Sequence, residues 1–252
     1  MSVQVFAPGG YRFAEGVFQY SAGVAALPGY RIVRVRFRAP VPLAEGFERA
    51  AQIIHASGRP LTALCACELR SPAPFTESGF ADFNKVYVGT LERWEIYDGK
   101  TNPVARSNVC PEIDPPSEPS FHAFSYTEAE PAAEPSFVIA GSGEAPEGRN
   151  NYRDHIVRLG DLSASGLREK ARFVLHEMER RMATLGFGWP DVTATQVYTI
   201  REIHSFLADE IVRRGAANAG LIWNYCRPPV VDLEYEMDCR GLTIERVAAQ
   251  RR

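Results

Sequence analysis

The chain repeats one short phrase. Gly58-Arg59-Pro60-Leu61-Thr62-Ala63 and Gly188-Trp189-Pro190-Asp191-Val192-Thr193-Ala194 each follow an amphipathic helical stretch and precede a run with strand character. In both, a glycine ends a helix, a proline keeps it ended, and a strand begins. Self-similarity at this spacing fixes the number of folding units before any local motif is read. Both units also carry Asn-x-Cys near their ends, at Asn108-Val109-Cys110 and Asn224-Tyr225-Cys226. The expected organisation of the 252 residues is a first domain over 1–127, a second over 136–252, and a Glu-, Ala- and Pro-rich linker over 128–135.

Periodicity gives the same order of elements in each unit. In the first, residues 17–20 read as a short strand, and residues 31–38 alternate strictly. That alternation puts Ile32, Arg34, Arg36 and Arg38 on one face, expected to be a solvated outer face. A helix over 43–57 and a strand over 61–69 follow. The next helix covers 78–94, capped by Thr76 or Ser78. Pro111, Pro115, Pro116 and Pro119 exclude a central strand over 111–119 and leave 120–126 as one.

The second unit opens with a strand over 137–141 and a loop over 142–146, with a further strand near 155–159. Its first helix is the clearest in the chain, with Leu167, Ala171, Val174, Leu175, Met178, Met182 and Leu185 on one stripe. Ser163 or Ser165 caps it. A strand over 192–198, a helix over 202–214 and strands over 221–225 and 232–239 complete the unit. The fold class is α+β, with two tandem units, each a mixed sheet carrying two helices on one face.

Composition narrows the function. A net charge of −3 supplies no basic field for nucleic acid or an anionic membrane, so neither partner is expected. The amino terminus shows no signal-peptide pattern and no apolar run reaches the length of a membrane span, which points to the cytoplasm. The five cysteines, 65, 67, 110, 226 and 239, lack metal-ligand spacing with the dispersed histidines, so no metal and no cofactor is expected.

Several strings resemble the RidA/YjgF family of enamine/imine deaminases, small α+β domains of the chorismate-mutase-like fold that assemble as trimers. In the first unit, Asp82-Phe83-Asn84-Lys85-Val86-Tyr87 is similar to the family's second helix, with Asn84 at a ligand-pocket position. Val104-Ala105-Arg106-Ser107 is similar to its Pro-Ala-Arg-Ser string. The resemblance implies that Arg106 grips a carboxylate, a task suited to a planar guanidinium. Asn108 stands where the family often has cysteine. The matching end of the last strand holds Phe121 and His122, with no acid.

The second unit departs in the opposite sense. Ala140-Gly141-Ser142-Gly143 is similar to the family's Ser-Gly loop, and Asp232-Leu233-Glu234-Tyr235-Glu236 to its terminal strand. The resemblance implies that Glu234 polarises the attacking water, while the arginine position falls on Gly220 or Ile222. These complementary losses imply one composite site across the domain interface. Glu234 and Arg106 would be catalytic there, and Asn84, Ser107, Asn108, Ser142, Gly143 and His122 would bind substrate. The expected activity is hydrolysis at the C=N bond of an imino, enamino or unsaturated amino acid in a homo-oligomer, a trimer of two-domain chains or alternatively a monomer. Two other readings stand beside it. Cys226-Arg227-Pro228-Pro229-Val230-Val231-Asp232-Leu233-Glu234 resembles a stretch of the chorismatases, which would act on an aromatic or cyclic carboxylate. Alternatively, the loss of one arginine fits a non-catalytic small-acid binder.

Overall fold

A computed structural model describes residues 1–248. Three short strands open the chain: β1 (Val3–Phe6), β2 (Tyr11–Ala14) and β3 (Gly23–Ala26). The first unit then runs β4 (Tyr30–Pro42), α1 (Leu43–Ala56), β5 (Leu64–Arg70), α2 (Glu77–Arg93), β6 (Ala105–Pro111) and β7 (Ser120–Ala129). The second runs β8 (Phe137–Gly143), α3 (Ala164–Thr184), β9 (Ala194–Tyr198), α4 (His204–Phe206), β10 (Leu221–Asn224), β11 (Cys226–Arg227) and β12 (Glu236–Gly241). β13 (Ile244–Val247) closes the described chain.

The duplication is explicit in the sheets. The first unit orders its strands β6-β5-β7-β4, and the second β10-β9-β12-β8. In each, the last strand lies antiparallel between the first strand and the strand after the first helix, and the strands that follow the two helices run parallel to each other. These are two tandem α+β units, each a mixed sheet with helices on one face. α1 and α2 bury Phe47, Ile54, Phe80, Tyr87 and Leu91 against Val33, Val35, Leu69 and Phe124. The α3 stripe from Leu167 to Leu185 buries against Ile139, Val197, Met237 and Cys239. Thr76 caps α2 through Gly79 N, and Ser163 caps α3 through Gly166 N, both at 3.1 Å.

The termini cross between the units. β1, β2 and β3 extend the second unit's sheet, with β3 antiparallel to β8, while β13 runs parallel to β4 in the first. The sheets meet through faces away from their helices, and side chains on those faces are polar as well as apolar. Here one expectation is corrected. The Arg34 face of β4 is not a solvated outer face: Arg34 is buried, with Nε 2.5 Å from Glu68 Oε1 and Nη2 2.7 Å from Glu68 Oε2. Only towards the end of the strand does the row reach solvent, at Arg38. An arginine can stand on a buried strand face when a bidentate carboxylate meets it there.

Other differences have local causes. Residues 155–159 form no strand, because Arg153–His155 turns as a 3-10 helix instead. The helix expected over 202–214 is one α-helical turn followed by a π-helical segment, Leu207–Val212. Residues 17–20 make an isolated bridge. Most consequential, β12 begins at Glu236 rather than at Asp232. Asp232 takes φ +73°, a left-handed conformation inside a turn in which Leu233 N donates to Val230 O.

Candidate active site

A cavity opens where β6 of the first unit approaches β8 and the start of β12 in the second. Arg106, Asn108 and Phe80 line it from one side. Gly141, Ser142, Gly143, Glu147, Tyr152, Leu233 and Glu236 line it from the other, with Tyr20 from the amino-terminal segment.

Arg106 enters from β6, paired with Cys67 of the neighbouring strand. Four rings surround its guanidinium carbon, Tyr87 at 4.7 Å, Tyr20 at 5.1 Å, Phe80 at 5.5 Å and Phe83 at 5.6 Å. Three of these come from α2, whose helical spacing turns them to one side. Ring faces favour the cation but accept no conventional hydrogen bonds. Arg106 is 3% exposed, and neither Nη1 nor Nη2 has a protein partner. A buried fork with both ends free is matched to a planar anion such as a carboxylate.

Glu236 opens β12, opposite Gly143 of β8 and Tyr198 of β9. A Cβ on Gly141 would overlap its Oε1, so the glycine at that point of β8 leaves room for the carboxyl as it stands. Burial, and then the charge of Asp238 two residues on, push the Glu236 carboxyl well above the usual range, although Arg181 and Arg106 oppose them. Such a shift favours the protonated carboxyl, a form that can give its proton away. Asp238 accepts hydrogen bonds from Ser107 Oγ at 2.6 Å, Tyr198 OH at 2.8 Å and Gln196 Nε2 at 2.9 Å, tying the first unit's sheet to the second's.

The residues expected from sequence are partly gathered here. Arg106, Asn108, Ser142 and Gly143 line the cavity, and Ser107 lies behind it on Asp238. Asn108 Oδ1 accepts from Ser71 Oγ at 2.9 Å, leaving its Nδ2 without a protein partner. Asn84 is buried in α2, with Oδ1 unpartnered, and is not among the lining residues. Glu234 is not among them either: its Oε2 accepts from Arg201 Nε at 2.8 Å, outside the cavity wall. His122 lies on β7, also outside the lining residues. Burial, followed by the charge of Arg70, lowers its pKa to about 3, so it stays neutral.

Sequence reasoning passed over Glu236 as the acid of the cavity, and over Tyr20, Glu147 and Tyr152 altogether. Glu236 had a signal in the strand pattern, two residues from the glutamate chosen. The other three lie in irregular segments, where no periodicity reports on facing.

Strand registers show what each copy retains. Cys67 and Val197 stand equally far beyond Pro60 and Pro190. Cys67 pairs with Arg106, while Val197 pairs with Trp223. Trp223 therefore occupies the arginine position of the second copy, rather than Gly220 or Ile222. By the same register, Glu236 opposite Tyr198 corresponds to Ala123 opposite Glu68.

A family model described as 2-aminomuconate deaminase CnbZ matches residues 3–246. The chain belongs to this family. It is 56% identical over 245 residues to a 2-amino-5-chloromuconate deaminase of Comamonas testosteroni, a match that covers 96% of this chain and 98% of that one. Among solved structures, a chorismatase is similar at TM-score 0.53 and 12% identity, over 87% of this chain and 77% of its own. The YjgF gene product of E. coli is similar at TM-score 0.31 and 13% identity, over 43% of this chain and 80% of its own. Membership of the CnbZ family makes the chain an enzyme, a deaminase, and excludes the small-acid binder without activity. The chorismatase likeness is one of fold.

Proposed function

We propose that the cavity between the two units is the active site, and that it hydrolyses the enamine of a 2-aminomuconate-type unsaturated amino acid. The supporting observation is Arg106, a buried guanidinium with two unpartnered nitrogens in the cavity that also holds Glu236. A 2-aminomuconate has a carboxylate on the carbon that bears nitrogen. Bidentate binding of that carboxylate by Arg106 sets the reacting carbon at a fixed distance from the guanidinium and towards Glu236.

The chemistry then follows from protonation state. An enamine becomes electrophilic when a diene carbon takes a proton and the nitrogen's lone pair forms C=N. Burial shifts the Glu236 carboxyl towards its protonated form and keeps it in a water-poor setting, which suits it to be the donor. Water adds to the C=N carbon, and ammonia leaves as the 2-oxo acid forms. Asn108 Nδ2, unpartnered at the cavity wall, is available to an oxygen of the substrate. The second copy carries Trp223 at the position of Arg106, and the first carries Ala123 at the position of Glu236, which supports one active site per chain.

The test is Arg106→Lys and Arg106→Ala, assayed by ammonia release from 2-aminomuconate. Loss of a bidentate charged contact lowers kcat/KM by about 10²-fold or more, mainly through KM, with lysine only partly restoring it. Unchanged KM in both variants would sink this reading.

A further inference from the structure

Hydrolysis of an enamine moves protons at two places, the diene carbon and the attacking water. A carboxyl that donates to carbon begins protonated, and a group that accepts from water begins without its proton, so one side chain cannot start as both. The cavity holds a second carboxyl group. Glu147 follows β8 in the loop beside Gly148, and its Oε1 accepts from Arg181 Nη2 at 2.8 Å and from Tyr20 OH at 2.8 Å. Both bonds fall on Oε1, and Oε2 has no protein donor among the described residues.

Arg181 anchors this group. It reaches in from α3, fully enclosed, and its Nη1 donates to Ala140 O at 3.0 Å and Gly141 O at 3.2 Å. Gly141 is also the residue against which Glu236 rests. One arginine thus fixes Glu147 relative to the strand that seats Glu236. Solvent reaches the Glu147 side, because Pro146 and Gly148 flank it and line an adjoining open groove with Gln19 and Tyr152. Tyr152 belongs to the walls of both cavity and groove.

We propose that Glu147 is a second catalytic carboxylate, which takes the proton of the attacking water while Glu236 serves the carbon end of the enamine. This rests on the reading of the cavity given above. Glu236 gives its proton to a diene carbon, and the nitrogen lone pair closes a C=N bond that carries the positive charge. Water oxygen bonds to the former enamine carbon, its proton passes to Glu147, and the C=N electrons return to nitrogen. Glu147 then protonates that nitrogen. As the C–N bond breaks and ammonia leaves, the hydroxyl proton goes to Glu236 and the carbonyl forms. Both side chains end as they began, and the net change is one water in and one ammonia out.

The experiment compares Glu147→Gln and Glu236→Gln in the full chain, with ammonia release and deuterium wash-in to recovered 2-aminomuconate in D2O measured together. Glutamine keeps an oxygen for Arg181 and Tyr20 but is a poor base. The expected result for Glu147→Gln is a loss of ammonia release of about 10²- to 10³-fold with carbon exchange retained. Glu236→Gln should lose both. If the Glu147 variant does not fold, the double variant Glu147→Gln/Arg181→Gln removes charge and counter-charge together and is read the same way. Full ammonia release, or exchange lost in step with it, overturns the proposal. An Arg106→Ala variant with unchanged KM would instead count against the cavity as a whole, so the two failures are distinguishable.

Discussion

At the scale of the residue, Glu236 combines a cost in stability with a role in chemistry. In the folded chain its carboxyl keeps a proton that the unfolded chain releases above the ordinary glutamate range. Between that range and the raised folded pKa, the folded state binds more protons, so stability falls as pH rises through the window. Glutamine carries no such penalty. Glu236→Gln is therefore expected to lower kcat by about 10²- to 10⁴-fold while raising the melting temperature, more at pH 8 than at pH 5. Thermal melts at the two pH values check this, and a variant less stable at pH 8 than the parent would contradict it. The same residue shows how far a sequence can be read. Asp232, Glu234 and Glu236 share a strand parity, and a period of two cannot choose among them. What chooses is the left-handed turn at Asp232, which delays β12 until Glu236 and sends Glu234 to Arg201. Arg106 was easier, because its string lies inside an unbroken strand.

At the scale of the element, the order of strands and helices was legible wherever period and caps agreed, as in α3 with its continuous stripe and Ser163 cap. The exchange of termini was not, since no local pattern tells β3 to pair with β8 or β13 with β4. β13 has a specific task. Its Glu245 accepts from Arg240 Nε at 2.7 Å and from Arg34 Nη1 at 3.0 Å, joining an arginine of each sheet. Arg34 also has Glu68, but Glu245 is the acid that pairs with Arg240 among the described residues. Removing one partner leaves a buried charge uncompensated. Because Glu245 is partly exposed, solvent reduces the cost, and Glu245→Ala is expected to destabilise the fold by about 2 kcal/mol. Urea titration would measure it, with Arg240→Met/Glu245→Ala recovering part of the loss. An Ala variant as stable as the parent would mean the strand is held by its backbone alone.

At the scale of the whole molecule, the repeat that signals two units also signals that neither is self-sufficient. Residues 1–127 contain β1, β2 and β3 but not β8, the strand they extend. Residues 136–252 contain β13 but not β4. Each half would also uncover one side of the layer in which Ser107 meets Asp238, exposing apolar side chains such as Ile32, Ala66 and Ala140. The cavity divides along the same line, with Arg106 in the first half and Glu236 and Glu147 in the second. Expressed separately, the halves are expected to be aggregation-prone and to release no ammonia from 2-aminomuconate. Expressed together from two reading frames, they should associate and recover measurable activity, because every missing sheet edge is supplied by the other fragment. Size-exclusion chromatography and an ammonia assay on the co-purified pair would decide the matter. Turnover by either half alone would place the reacting groups within one copy and remove the reason for the two copies to stay joined.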